Sequence, residues 1–148
     1  MRSTTVKEIM TADPVIISPD TSLKDASIKM IAIDCGILPV GTKDNITGII
    51  TDRDIVIRAV ANGKDTSREK VANYMTRVLY TCDENDSLEE AADLMRENNV
   101  SRLIVTNGKG AVTGILTFGH ILRNDANPLE VSKVVQHATR ARAGARPM

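Results

Sequence analysis

The sequence of 148 residues contains no tryptophan, one phenylalanine and two tyrosines. Tyr74, Tyr80 and Phe118 are too few for the aromatic platforms on which proteins stack single-stranded nucleic acid, so nucleic acid is not an expected partner. The two cysteines, Cys35 and Cys82, stand apart and form no Cys-x-x-Cys pair, which argues against a structural zinc site and for a reducing compartment. No apolar run approaches the roughly 18 residues of a membrane span. The opening MRSTTVKEIM lacks the continuous apolar stretch of a signal peptide. The expectation is a cytoplasmic protein with no membrane partner.

Net charge is also missing, since 19 basic residues offset 19 acidic ones. The balance is uneven along the chain. All the acids fall within residues 1–130, whereas residues 131–148 carry Lys133, Arg140, Arg142 and Arg146 and no acid. The body is therefore mildly acidic and the tail, ending TRARAGARPM, basic. That end is short and rich in alanine and glycine, and a solvated or frayed tail is expected. What remains is ordinary for a globular chain, 42% hydrophobic and 26% charged, and long enough to bury a core.

A tandem repeat organises the rest. Sliding the chain on itself by 65 residues pairs positions 6–40 with 71–105. The matches are Val6/Val71, Met10/Met75, Thr11/Thr76, Ser22/Ser87, Leu23/Leu88, Ala26/Ala91, Met30/Met95, Leu38/Leu103 and Val40/Val105. One extra residue then enters a polar turn, and at an offset of 66 the match resumes with Thr47/Thr113, Gly48/Gly114, Ile49/Ile115, Thr51/Thr117 and Ile55/Ile121. Average composition would give roughly three identities over such a length. The repeats run over residues 6–63 and 71–126, joined by a linker at 64–70 and followed by the basic tail at 127–148. A unit of about 60 residues is marginal alone, so the two copies are expected to share a buried face.

Each copy reads as β-α-β-β-α, an α+β pattern. A short helical lead-in (Val6 to Met10; Val71 to Met75) precedes an extended run (Val15 to Ile17; Leu79 to Cys82). Ser22 and Ser87 then stand as N-caps, with Asp25 and Glu90 at capping-box spacing and Leu23, Ala26, Met30 or Leu88, Ala91, Met95 at helical intervals. Two strands follow around a polar turn, Ile37 to Val40 with Ile46 to Ile50, and Leu103 to Val105 with Ala111 to Leu116. A last helix begins at Thr51 or Thr117.

The segment Gly48-Ile49-Ile50-Thr51-Asp52-Arg53-Asp54 carries the chemistry. A strand ends in a threonine that caps a helix, leaving backbone N–H groups open. Phosphate oxygens can take those groups and the Thr51 hydroxyl, Arg53 can add charge, and an acidic residue can accept from both hydroxyls of a ribose. The same Thr51-x-x-Asp54 spacing also fits a capping box in which Asp54 serves only its own helix. Spacing alone leaves both readings open. In the second copy Thr117 is kept, but His120 stands where Asp54 does, either as a ligand contact or as a surface or capping histidine. Cys35 and His120 lack an acidic orienter, so catalysis is not expected.

The helix after Thr51 is apolar nearly all round (Ile55, Val56, Ile57, Ala59, Val60, Ala61), as is the stretch Ile28 to Ile33. One face can enter its own core. The other calls for the second copy or a second subunit.

The order of elements, the Gly36-Ile37-Leu38-Pro39-Val40 strand, the Gly48 to Asp54 segment and the weaker Ser101 to Val105 and Gly114 to His120 segments resemble a pair of cystathionine-beta-synthase (CBS) domains, the Bateman module. The resemblance covers about residues 6–126. It implies tandem repeats packed with pseudo-twofold symmetry, a flat homodimer through the apolar helices, and an adenine nucleotide or related adenosyl ligand in the cleft between copies. It also implies that Asp54 meets the ribose, that Thr51 lies near ribose or phosphate, and that Arg102 points toward phosphate, where the alternative is a solvent-exposed arginine. Almost nothing accompanies the pair, so the chain resembles a stand-alone module. The expected function is a non-catalytic sensor of AMP, ADP, ATP or S-adenosylmethionine that requires no cofactor or metal and acts on a regulated protein in trans. The alternative is a dimeric interaction scaffold that needs no ligand.

Overall fold

The computed structural model describes residues 3–125 and 127–139. In chain order the elements are α1 (Val6–Ile9), β1 (Thr11–Ala12), α2 (Leu23–Ile33), β2 (Ile37–Thr42), β3 (Asn45–Thr51), α3 (Asp52–Asp54), β4 (Thr81–Asp83), α4 (Leu88–Asn98), β5 (Arg102–Thr106), β6 (Val112–Thr117), α5 (Phe118–Asn124) and α6 (Pro128–Thr139). A π-helical stretch, Ile55–Ala59, and a 3-10 turn, Val60–Asn62, continue α3, and a further 3-10 turn covers Val71–Asn73. These elements form two compact units. Pro14–Leu79 is one, and residues up to Asp13 together with those from Tyr80 onward are the other.

In the Pro14–Leu79 unit, Ser22 caps α2 by accepting from the Asp25 backbone N–H at 3.0 Å. Its buried stripe, Leu23, Ala26 and Met30, packs with Leu38 and Val40 of β2 and Ile50 of β3. β2 and β3 pair antiparallel, with Ile37 opposite Thr51. Outside β2, Ile17 bridges Val40 in parallel; outside β3, Thr76 bridges Ile49 antiparallel. The expected strand at Val15 to Ile17 is thus reduced to a single bridge. The reason is local: Pro14 and Pro19 flank the run and cannot donate to a ladder.

The other unit repeats this plan with a complete sheet, in the order β1-β6-β5-β4. α4, capped by Ser87, lays Leu88, Ala91, Ala92 and Met95 against Leu103, Val105 and Leu116. The strand at the far edge comes from the other repeat. β1 follows the first lead-in yet pairs with β6 of the second copy, while Thr76, after the second lead-in, pairs with β3 of the first. The lead-ins are therefore exchanged, and the packing units are not the contiguous sequence repeats.

The tail departs from expectation. Residues 128–139 are not a frayed end but the helix α6, docked on α4. Val134 is fully buried, the Arg96 guanidinium donates to the His137 carbonyl at 3.1 Å, and the His137 Nδ1 lies 2.7 Å from the Asp93 carboxylate. Val131, Val134 and Ala138 recur at helical intervals and outweigh the basic composition farther on. Asn127 accepts from the backbone N–H of Leu129 at 3.0 Å, supplying the start signal. Arg140, Arg142 and Arg146 lie outside the described residues.

Candidate functional site

β3 ends at Thr51, whose backbone is extended (φ −115°, ψ 159°) and whose hydroxyl oxygen accepts from the Asp54 N–H at 3.0 Å. In return, the Thr51 N–H donates to the Asp54 carboxylate at 3.1 Å. The reciprocal capping box anticipated as one reading of Thr51-x-x-Asp54 is therefore formed. Thr51 itself is buried.

The Asp54 carboxylate does more than cap. Only 12% of its side chain is exposed, and Arg58 of its own helix and two groups from outside it converge on the carboxylate or on its partners. The Thr76 hydroxyl lies 3.4 to 3.5 Å from its two oxygens. The Arg58 guanidinium approaches Oδ1 to 3.7 Å with one nitrogen and donates to the Tyr74 carbonyl at 2.8 Å with the other. A carboxylate offers about four acceptor positions, and here the Thr51 N–H takes one at 3.1 Å and the Thr76 hydroxyl, shared between the two oxygens, a second. Acceptor capacity remains for hydroxyl groups of a ligand.

Neither Arg58 nor Thr76 was singled out by sequence. Arg58 stands four residues after Asp54, a helical ion-pair spacing, and Thr76 is one of the identities between repeats. Those were the available signals. Arg53, which was singled out, is exposed, and its backbone N–H donates to the Asp52 carboxylate at 2.8 Å.

The second copy places Thr117 as the N-cap of α5, accepting from the His120 N–H at 3.1 Å. His120 Nδ1 lies 3.2 Å from the Asn124 side-chain amide, which also donates to the His120 carbonyl at 2.9 Å. Arg102, half-buried, stands directly across from Thr117 in the β5–β6 ladder, the place Ile37 holds across from Thr51. Residues directly opposite in an antiparallel pair share a face, so Arg102 and Thr117 do too. Thr51, Arg53 and Asp54 thus belong to one unit, and Arg102, Thr117 and His120 to the other.

Burial, then the charges of Asp86 and Asp83, push the Cys82 thiol up to about 12, which favours the protonated form. Cys35 donates its S–H to the Ile37 carbonyl at 3.4 Å. Among the described residues, no group of three or more histidine, cysteine, aspartate or glutamate side chains is placed to hold a metal ion.

The sequence and fold have counterparts in known proteins. The family model for the CBS domain matches residues 6–60 and 71–127. An uncharacterised protein of Bacillus subtilis, YlbB, is 35% identical over 120 residues, covering 80% of each chain. The crystal structure of the CBS domain pair of protein MJ0100, in complex with 5'-methylthioadenosine and S-adenosyl-L-methionine, aligns with a TM-score of 0.72 at 29% identity, covering 81% of this chain and 98% of that one. The crystal structure of CBSX2 in complex with AMP aligns with a TM-score of 0.65 at 26% identity, covering 80% and 93%.

Proposed function

The chain belongs to the CBS-domain family, and on that premise we propose that it is a non-catalytic regulatory module that binds an adenine nucleotide or a related adenosyl ligand. Asp54 accepts from the ribose hydroxyls, and Thr51 and Arg53 lie toward ribose or phosphate. The observation that carries this reading is the Asp54 carboxylate, held nearly buried among Thr51, Thr76 and Arg58 with acceptor capacity left over. The complexes of MJ0100 and CBSX2 support the ligand class. Arg102, Thr117 and His120 form the corresponding second place, weaker because an imidazole offers at most one acceptor where a carboxylate offers several. The output acts in trans on a regulated partner in the cytoplasm, from a homodimer that covers the exposed apolar side chains Ile57 and Val60.

Thermal unfolding with and without AMP, ADP, ATP and S-adenosylmethionine tests the reading. A ligand at 100 times its dissociation constant adds about 2.7 kcal/mol to the folded state. A raised midpoint with one or more of them is the expected result, and no shift with any would leave the scaffold. The scaffold has its own support, since Asp54 is engaged in the capping box and Ile31 is 81% exposed.

A further inference from the structure

Asp54 and Arg58 have changed together between the two copies. Their counterparts at an offset of 66 are His120 and Asn124, and both pairs are in contact within their helix. The backbone differs in step. After Thr117 the chain forms a regular α-helix through Asn124, whereas after Thr51 three α-helical residues give way to the π-helical stretch Ile55–Ala59 that carries Arg58. A π-helical insertion rotates the side chains that follow it and recurs at functional sites.

The placement of Arg58 has a consequence for the carboxylate. One guanidinium nitrogen is tied to the Tyr74 carbonyl at 2.8 Å, so the side chain is held by the second lead-in rather than free in solvent. The other nitrogen then stands 3.7 Å from Asp54 Oδ1, while Thr51 N–H holds Oδ2 at 3.1 Å. One oxygen is thus held by a backbone hydrogen bond, while the Arg58 charge and the Thr76 hydroxyl, at 3.5 Å, stand beside the other, which biases the plane of the carboxylate. A ribose diol needs that plane fixed, because its two hydroxyls present donors in one set direction. A planar fork that grips a carbonyl and a carboxylate at once is a task for arginine; a lysine ammonium reaches one of them as a point charge. Resting on the proposed nucleotide reading, we infer that Arg58, seated on the Tyr74 carbonyl, is a positioning residue that orients Asp54 for the ribose hydroxyls and so sets the preference for ribose over deoxyribose.

The experiment compares AMP with 2'-deoxy-AMP by titration calorimetry on the parent, Arg58→Lys, Arg58→Gln and Asp54→Asn, with the unliganded melting midpoint of each measured alongside. The parent is expected to prefer AMP by about 10- to 150-fold, the range of a hydrogen bond to a charged group. In Arg58→Gln and Arg58→Lys that preference is expected to fall to within about threefold, as in Asp54→Asn, whatever happens to the midpoint. A purely structural role would lower the midpoint and leave the ratio intact, and that outcome overturns the inference while the nucleotide reading stands. A ratio restored by Arg58→Lys overturns it as well, since charge alone would then suffice. A parent that binds neither nucleotide overturns the inference together with the reading on which it rests.

Discussion

The Met75 side chain lies across Gly48. A Cβ placed on Gly48 would stand 2.7 Å from the Met75 sulfur and 2.8 Å from the Thr76 carbonyl oxygen, and Met10 and the Thr11 carbonyl crowd Gly114 in the same way. The identities Met10/Met75 and Gly48/Gly114, separate in the sequence comparison, are thus two contacts of one kind, each made between a lead-in and the sheet of the other repeat. Because the Thr76 N–H and carbonyl also exchange hydrogen bonds with Ile49 at 2.8 and 2.9 Å, the backbone cannot retreat cheaply. Gly48→Ala is expected to cost about 1 to 3 kcal/mol in urea unfolding. A loss within about 0.5 kcal/mol, the size of an ordinary surface change, would show that the lead-in is loosely held.

α6 is part of the structure, not an appendage. Val134→Ala is expected to cost about 2 kcal/mol, the range of a large-to-small change in a packed core. A chain ending at Asp125 is expected to lose more, because the Arg96 bond to the His137 carbonyl goes with the apolar face. Calorimetric midpoints unchanged by truncation would return α6 to a solvated tail.

Asp125 and Glu130 meet at the start of α6 and titrate in opposite senses. Burial, reinforced by the hydrogen bond and charge of Glu130, pushes the Asp125 carboxyl above its usual range. Burial opposes the ionisation of Glu130, but hydrogen bonds from the side chain and backbone of Thr4, then one from Asp125, and the charge of Lys133 hold it below its usual range. Asp125 therefore contributes fully below its unfolded value and loses that contribution as pH rises through its raised folded one. Glu130 contributes above its unfolded value and loses that as pH falls. Asp125→Asn keeps a donor toward Glu130 and does not ionise. Its midpoint is expected to match the parent below about pH 4 and to exceed it by a few degrees at neutral pH. A gain independent of pH in circular dichroism melts would remove ionisation of Asp125 as the cause.

The two ligand positions are expected to be unequal. Asp54→Ala should weaken AMP binding by about 10- to 150-fold, whereas His120→Ala should change it by less than about threefold. Asp54→Ala also removes half of a capping box, a loss of about 1 kcal/mol that the unliganded midpoint will show. Two equal sites in calorimetry would contradict the asymmetry, and an affinity unchanged beside a lowered midpoint would leave Asp54 as a cap alone.

Assembly is expected through side chains, not sulfur. Ile57 and Val60 are 47% and 55% exposed, and charged replacements at both should give monomer in light scattering. Reductant should have no effect, since Cys82 is buried and the half-buried Cys35 directs its S–H to the Ile37 carbonyl at 3.4 Å. A dimer that survives the double replacement would place its interface elsewhere.

Local signals carried the plan of each unit. Ser22 and Ser87 announced α2 and α4 because a cap is a bond between residues three apart, and the hydrophobic stripes followed from a period that the chain itself carries. Thr51 and Asp54 were legible for the same reason, as was the choice between cap and ligand contact that their spacing poses. α6 was masked by the composition of the residues beyond it, although its apolar spacing was present.

The exchange of lead-ins was decided only in three dimensions. Val6 to Met10 and Val71 to Met75 read alike, and a short segment with the same apolar pattern fits either sheet edge, so no local term distinguishes its own repeat from the other. The choice is made by closure of the chain over long separations, and it brings Thr76 and the Tyr74 carbonyl to Asp54 and Arg58. Periodicity and caps depend on neighbours within one turn of helix or one strand, so sequence determined them. The part of the Asp54 environment that comes from Tyr74 and Thr76, about twenty positions away, was set by tertiary packing.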